Sequence, residues 1–86
     1  MKRNDIETEI RTTLTQLSEE DASHVAADAD LSDAIGLDSL GRLELLSEME
    51  ERFDLTIYEI DSDKASTIAG MAEIVEAALL DQAEAA

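Results

Sequence analysis

The stretch GLDSLGRLELLSEMEERFDLTI, residues 36–57, decides the fold because it contains the clearest helical pattern in the chain. Apolar residues recur there at steps of three or four, and mostly glutamates occupy the other directions, which predicts a half-buried helix over about residues 39–53. Asp38 directly precedes this pattern and is a suitable N-cap, since its carboxylate can accept hydrogen bonds from the free N–H groups of the first turn. The apolar positions of this pattern are Leu40, Leu43, Leu46, Met49 and Phe53.

Two further helices are predicted, one on each side of this segment. Near the N-terminus, with Asn4 or Asp5 as the cap, an apolar stripe with helical spacing comprises Ile6, Ile10, Leu14 and Leu17. Near the C-terminus, Ser66 or Thr67 is expected to cap a last helix. Its inward residues are Ile68, Met71, Val75, Ala78 and Leu79.

Less regular segments connect these helices. Residues 18–36 form a long acidic loop, which Val25, Leu31 and Ile35 are expected to pin to the core. The remaining segments are an extended connector over residues 54–57, one short helical turn over residues 58–63, and a frayed tail over residues 82–86.

Composition agrees with a helical reading. The chain has 86 residues, of which 44% are hydrophobic but only Phe53 and Tyr58 are aromatic, with no proline and three glycines. An aliphatic core with so few turn formers favours helices and nearly excludes an all-β fold. We therefore predict a single all-α domain over residues 1–86, with an ordered core over about 4–81. Its expected architecture is a small antiparallel four-helix bundle of three main helices and one short one, with a long loop between the first two main helices.

The charge of the chain excludes several partners. Six Lys and Arg face 22 Asp and Glu, giving a formal charge of −16, and all of the excess lies in residues 19–86. Nucleic acids and anionic membranes would be repelled by such a surface, whereas basic patches on partner proteins would be attracted. The other reading of these acids is a solvated face that keeps the protein soluble.

The sequence also lacks cysteine and the apolar segments typical of secreted or membrane proteins. There is no cysteine, so disulfides, thiol catalysis and thiolate metal sites are excluded. No N-terminal apolar run resembles a signal peptide, and no stretch approaches the roughly 20 apolar residues of a membrane span. We expect a monomer in the cytoplasm.

Patterns typical of enzymes are weak. A hydrolase elbow needs G-x-S-x-G, but Gly36 stands one residue too early for Ser39, and the single histidine, His24, lies in the long loop. Calcium loops starting at Asp28 or Asp61 lack both the glycine at the sixth position and the glutamate at the twelfth. We therefore expect no catalytic residue and no dedicated metal site, and a small hydrolase is the weakest of the readings.

Ser39 is the residue best placed for chemistry. It lies where the long loop meets the predicted helix, directly after Asp38, so its hydroxyl should face solvent. A helix N-terminus stabilises negative charge through its free N–H groups and its dipole, and a phosphodiester built on Ser39 would benefit. An ordinary first-turn serine would occupy the same position without being modified.

The surroundings of Ser39 favour modification. Residues 36–57 strongly resemble the modification site and following helix of the acyl carrier protein family, and the spacing of helices extends the resemblance more loosely over most of the chain. The resemblance implies that Ser39 receives phosphopantetheine from coenzyme A through a phosphopantetheinyl transferase. Asp38 then belongs to the attachment site as the acid before the modified serine, and Leu40 follows it as the partly exposed hydrophobe that the transferase and other partners touch. The terminal thiol of that arm would carry acyl groups as thioesters between enzymes of fatty acid, polyketide or related metabolism.

The same resemblance implies roles for further residues. Positions that meet basic patches on loading, synthase and transferase enzymes are Glu44, Glu50 and Glu51, with Arg42 beside them. Positions that line the acyl pocket of the family, and that would otherwise be ordinary core, are Leu43, Leu46, Met49, Phe53, Ile68 and Met71.

Several positions depart from the family pattern. They are Gly41, where an acid is common, Arg42 and Arg52 on a negative helix, Ser47 in place of an exposed hydrophobe, and Tyr58 in place of a proline. These departures favour a specialised carrier in lipid, polyketide or aminoacyl metabolism over the housekeeping fatty-acid pathway. The alternative from another class is an acidic helical protein-interaction module that is never modified.

Overall fold

Four α-helices and one 3₁₀ turn make up the computed structural model, which describes residues 2–58, 60–61 and 63–85. In chain order these elements are α1 Arg3–Ser18, α2 Leu31–Ile35, α3 Ser39–Phe53, the 3₁₀ turn Lys64–Ser66 and α4 Ile68–Ala85. The described residues contain no strand, and the helices form a small bundle. The predicted all-α, four-helix class is therefore confirmed.

Side-chain caps begin two of the three long helices. Asp38 caps α3, accepting a hydrogen bond from the Gly41 amide at 2.8 Å. Thr67 caps α4 in the same way, with 3.0 Å between Thr67 Oγ1 and the Gly70 amide, so both of these predictions are confirmed. The prediction for α1 is wrong: that helix already begins at Arg3, and its N-cap residue Lys2 makes no side-chain hydrogen bond.

The core lies where α1, α3 and α4 meet, with α1 and α4 sharing the most extensive contact. The predicted α1 stripe is buried at Ile6, Ile10 and Leu14, while Leu17 at the end of the helix is 38% exposed. From the other two long helices the core takes Leu45, Leu46, Met49, Ile68, Met71, Ala72, Ile74 and Val75. Ala78 and Leu79 pack against it as partly buried residues.

The face that α3 buries differs from the predicted one. Leu40 and Leu43 are 64% and 53% exposed, whereas Leu45, which the stripe omitted, is fully buried. At roughly 100° per residue, Leu43 and Leu45 lie on opposite edges of an arc centred between Leu46 and Met49. Packing against the other helices turns this arc toward Leu45, so the prediction that Leu43 faces inward is wrong. Leu40 is exposed, as the resemblance implied.

The long loop contains a short helix that the sequence analysis treated as irregular. Asp30 caps α2 by accepting from the amides of Ser32 and Asp33, and Gly36 ends it with a φ of 67°. Leu31 is fully buried, and Val25 and Ile35 pack partly buried against the core, which confirms that these three residues pin the segment.

Polar contacts fix the rest of the loop to the long helices. Arg11 Nε donates to the Val25 carbonyl at 3.2 Å, and Thr15 Oγ1 accepts from the Ala22 amide at 2.9 Å. The Ala69 amide at the start of α4 donates to the Ala27 carbonyl at 2.9 Å. The segment before α2 is thereby held at both α1 and α4.

The connection between α3 and α4 is non-helical until the 3₁₀ turn. Leu55 is buried, as expected for a connector that follows the core. The helical turn predicted over residues 58–63 is wrong at Tyr58, Ile60, Asp61 and Asp63, which are not helical, while Glu59 and Ser62 lie outside the described residues. The turn occurs instead at Lys64–Ser66, packed so closely on α4 that a Cβ at Gly70 would overlap the Lys64 carbonyl oxygen.

Two further contacts join distant parts of the chain. Arg3 Nη2 lies 2.8 Å from Glu76 Oε1, linking the start of α1 to α4. Gln82 Nε2 donates to the Asp54 carbonyl at 2.8 Å, linking α4 to the end of α3. Helix α4 runs to Ala85, and Ala86 lies outside the described residues, so the frayed tail and the domain limits stay predictions.

Candidate functional site

Ser39 is the first residue of α3 and its side chain is exposed. The Asp38 carboxylate accepts a hydrogen bond from the Gly41 amide, and the Arg42 amide donates to the Asp38 carbonyl at 3.0 Å. Among the described residues, no acceptor is found for the amides of Ser39 and Leu40. Free first-turn amides and the positive end of the helix dipole favour an anion at this position.

Arg42 adds a positive charge beside the serine. Its Nη2 donates a long hydrogen bond to Ser39 Oγ at 3.4 Å, and the residue is partly buried. The described residues include no carboxylate within ion-pair distance of Arg42. Ser39 therefore has free amides, a guanidinium and solvent access around its hydroxyl, a setting that fits a covalently attached phosphate group.

Leu37 helps to set the start of α3, a role that the sequence analysis missed. It is buried, and its Cδ1 would lie 2.6 Å from a Cβ built on Gly41. The side chain therefore packs over the first turn of the helix, close to Gly41. The available signal was an apolar residue directly before the N-cap, where such residues commonly fix the entry of the chain into a helix.

The exposed part of α3 combines apolar and acidic side chains. Leu40 and Leu43 stand one helical turn apart beyond Ser39, and Glu44 and Glu51 are exposed on the same helix. Glu50 differs, because it is partly buried and its Oε2 accepts from the Ile57 amide at 2.9 Å. The structure thus brings Leu40, Leu43 and Glu44 together near Ser39 and gives Glu50 a bond within the chain.

Most of the residues expected to line an acyl pocket lie together in the core. Leu46, Met49, Ile68 and Met71 are buried and Phe53 packs against them, whereas Leu43 is exposed, so the expectation that Leu43 lies on the buried face is wrong. A groove of about 880 Å³ lies between α4 and the connector that precedes it, and none of these six side chains lines it. Its lining residues on the connector include Thr56, Ile57, Tyr58, Ile60 and Asp61. The acyl pocket remains a prediction.

Fold and site together define a class: a small helical domain with an exposed serine at the start of a capped helix, where an attached anion would be stabilised. A family model described as "Phosphopantetheine attachment site" matches residues 8–75. An acyl carrier protein of Exiguobacterium sp. is 27% identical over 79 residues, covering 92% of this chain and all of that protein. Another, of Akkermansia muciniphila, is 29% identical over 88% of this chain and 95% of its own length.

A third relative matches a shorter part more closely: the acyl carrier protein of Bdellovibrio bacteriovorus is 41% identical over 65% of this chain and 72% of its own length. No solved structure shows a significant match to the chain. The chain belongs to the acyl carrier protein family, within the phosphopantetheine-attachment domains. Phosphopantetheine is accordingly the covalent cofactor of this domain. No described helix combines the length and apolar character needed to cross a membrane.

Proposed function

We propose that this protein holds acyl groups as thioesters on a phosphopantetheine arm attached to Ser39 and passes them between enzymes. The observation that carries the proposal is the position of Ser39, exposed at the first residue of α3 with free amides and the Arg42 guanidinium around it. The protein acts as a carrier and a substrate of enzymes, not as a catalyst. We expect this exchange to take place in the cytoplasm.

Attachment requires only a nucleophile from this chain. The Ser39 hydroxyl attacks the phosphate that bears pantetheine in coenzyme A, a new oxygen–phosphorus bond replaces the bond to the nucleotide phosphate, and the hydroxyl proton passes to a base of the transferase. Asp38 contributes by fixing the first turn of α3, so that Ser39 is presented at a rigid helix start. The bound arm supplies the thiol that a chain without cysteine cannot supply.

Partner enzymes dock on the exposed part of α3. Leu40 and Leu43 offer apolar contact next to the attachment site, and Glu44 and Glu51 offer charges that complement basic patches. These partners are a phosphopantetheinyl transferase and the enzymes that load, extend or transfer the acyl group. Contacts between screened charges dissociate quickly, which suits a monomeric shuttle that must leave each enzyme.

The pathway we propose is a specialised one in lipid, polyketide or aminoacyl metabolism. Arg42 and Arg52 place positive charge on the docking helix, and Ser47 places a hydroxyl on it. Arg52 is directed away from partners by its contacts with Glu9 and Gln16 on α1, at 3.1 and 2.8 Å. Arg42 and Ser47 therefore distinguish the surface of this helix from a uniformly acidic one.

Thioester formation tests the proposal. The protein is incubated with acetyl-coenzyme A, Mg²⁺ and a permissive phosphopantetheinyl transferase, and its mass is measured before and after neutral hydroxylamine. We expect an acylated arm whose acyl group hydroxylamine removes. Ser32→Ala, which alters an exposed serine of α2, should behave as wild type, and Ser39→Ala should gain no mass. A folded wild-type protein that is never modified would instead support the unmodified interaction module.

A further inference from the structure

Three of the four arginines of this protein, and Lys64, face carboxylates. Arg3, Arg11 and Arg52 lie 2.8, 3.8 and 3.1 Å from the carboxylate oxygens of glutamates. Lys64 lies 3.5 Å from Glu73. Arg42 is the arginine whose described polar side-chain contact is a hydroxyl, that of Ser39. In a chain with 22 acidic residues, an arginine directed at a serine is unexpected on electrostatic grounds.

We propose that Arg42 binds the phosphodiester that joins the arm to Ser39 and so holds the base of the arm against the first turn of α3. This inference rests on the proposed function, since it requires the phosphodiester to be formed. Arg42 is a positioning residue, because it contacts the phosphate and not the acyl group.

The geometry supports a direct contact. Arg42 Nη2 already lies 3.4 Å from Ser39 Oγ, which becomes an ester oxygen of the phosphodiester. The two non-bridging phosphate oxygens, which share one negative charge, would be bonded to the same phosphorus atom as this ester oxygen. A guanidinium has a planar set of donors that pairs with two phosphate oxygens at once, which a lysine ammonium cannot do.

The contact would offset electrostatic repulsion between the phosphodiester and this acidic chain. The phosphodiester adds a negative charge to a protein of formal charge −16, directly beside the carboxylate of Asp38. The helix N-terminus offsets part of the resulting repulsion, and Arg42 offsets more at close range. Attachment at Ser39 is therefore compatible with a strongly acidic domain, and the arm leaves the protein in a restricted direction.

The wild-type protein provides the primary test. Apo and holo forms labelled with ¹⁵N are compared by NMR of the arginine side chains, with intact mass confirming modification at Ser39. We expect the Arg42 Nε–Hε signal to shift and to exchange more slowly with solvent in the holo form. Arg3, Arg11 and Arg52 are internal controls whose signals should not change, because their carboxylate partners are unaffected.

Substitutions provide a second readout on the phosphate itself. In the ³¹P spectrum of the holo protein, Arg42→Gln should give a narrower line than wild type because the phosphate is more mobile, and Arg42→Lys should fall between them. Arg52→Gln removes a cation from the same helix and should leave the ³¹P line as in wild type.

The outcomes separate this inference from the proposed function. A holo protein whose Arg42 signal matches that of the apo form would overturn the inference alone, and it would leave Arg42 as a contact for partner enzymes. A protein that gains no phosphopantetheine would overturn the proposed function and this inference with it. If Arg42→Gln cannot be modified, the wild-type comparison still decides.

Discussion

The side chain of Glu50 accepts a hydrogen bond from the backbone amide of Ile57, with 2.9 Å between Oε2 and N. This bond ties the connector that leaves α3 back onto the last turns of the helix. The Leu55 amide reinforces it by donating to the Glu50 carbonyl at 3.0 Å. Glu50 is therefore a structural residue of the connector, whatever it contributes to partner binding, whereas Glu44 and Glu51 extend from the exposed part of α3.

Substitution of Glu50 should loosen this connector. Glu50→Ala removes the acceptor of the Ile57 amide, and a hydrogen bond to a charged group contributes about 1.5–3 kcal/mol. We expect a loss near the lower end, about 1.5 kcal/mol, and faster hydrogen exchange at the Ile57 amide. Glu51→Ala, one residue further along α3, is the matched control and should leave that exchange rate unchanged. Equal exchange rates in Glu50→Ala and wild type would show that the bond does not hold the connector.

Gly70 should be the least replaceable of the glycines for steric reasons. A Cβ at this position would overlap the backbone carbonyl of Lys64, and forcing the 3₁₀ turn away from α4 should cost about 3 kcal/mol. Gly36→Ala tests backbone conformation instead, because Gly36 has a φ of 67° but no atom near its potential Cβ, and it should cost about 1–2 kcal/mol. Urea unfolding of both variants measures the difference. A smaller loss for Gly70→Ala than for Gly36→Ala would contradict the close packing of the turn.

The Arg3–Glu76 pair should contribute stability that acid removes. The hydrogen bond from Arg3 lowers the pKa of Glu76 below its ordinary value of 4.5, since it favours the charged carboxylate in the folded state. A lowered folded pKa gives stability that is present above pH 4.5 and is lost as the pH falls through the folded value. We expect wild type to melt above Arg3→Gln at neutral pH and the two to converge in acid. A difference in melting temperature that is independent of pH would indicate that Arg3 acts through packing alone.

Charge reversal on α3 should slow partner enzymes more than it alters the fold. Glu44→Lys combined with Glu51→Lys removes two exposed acids from the proposed docking surface, and we expect kcat/KM for the transferase to fall on the order of ten-fold at low salt. The matched control is Glu19→Lys combined with Glu20→Lys, which changes the net charge equally at exposed positions after α1. Equal slowing by both pairs would mean that overall charge, not the surface of α3, guides the partners.

The helices that the sequence predicted well are those whose signals are local. Asp38 and Thr67 cap their helices through their own side chains, so residue type and position relative to the apolar pattern predicted Asp38 and narrowed the second cap to Ser66 or Thr67. The four-residue spacing of Ile6, Ile10 and Leu14 likewise predicted the buried face of α1. Such features depend on the residues within a single turn or a single stripe.

The errors arise where packing between elements decides. Leu43 and Leu45 fit the apolar pattern of α3 almost equally, and only contact with neighbouring helices selects Leu45 for the core. Helix α2 is five residues long, too short to show a period, although Asp30 and Gly36 carried the end signals of a helix. The position of the 3₁₀ turn follows from its packing against Gly70, which no pattern within residues 58–66 records.

For the candidate site, the sequence selects Ser39 as the residue to test but does not predict the contacts around it. Asp38-Ser39-Leu40 at a helix start, followed by a familiar helix pattern, was enough to select Ser39. The contact between Arg42 and Ser39 required the structure, since an arginine three residues into a helix can turn toward solvent or toward the helix start. The bond from Ile57 to Glu50 required it as well, because nothing in the sequence separates Glu50 from its acidic neighbours.

The most direct test of the central claim is the location of phosphopantetheine on the chain. After incubation with coenzyme A, Mg²⁺ and a permissive transferase, the wild-type protein is analysed by intact mass and by fragmentation, with Ser39→Ala and Ser32→Ala alongside. We predict one added group, located on Ser39, in wild type and Ser32→Ala, and none in Ser39→Ala. A folded wild-type protein that gains no mass with several transferases, or that carries the group on another residue, would contradict the claim.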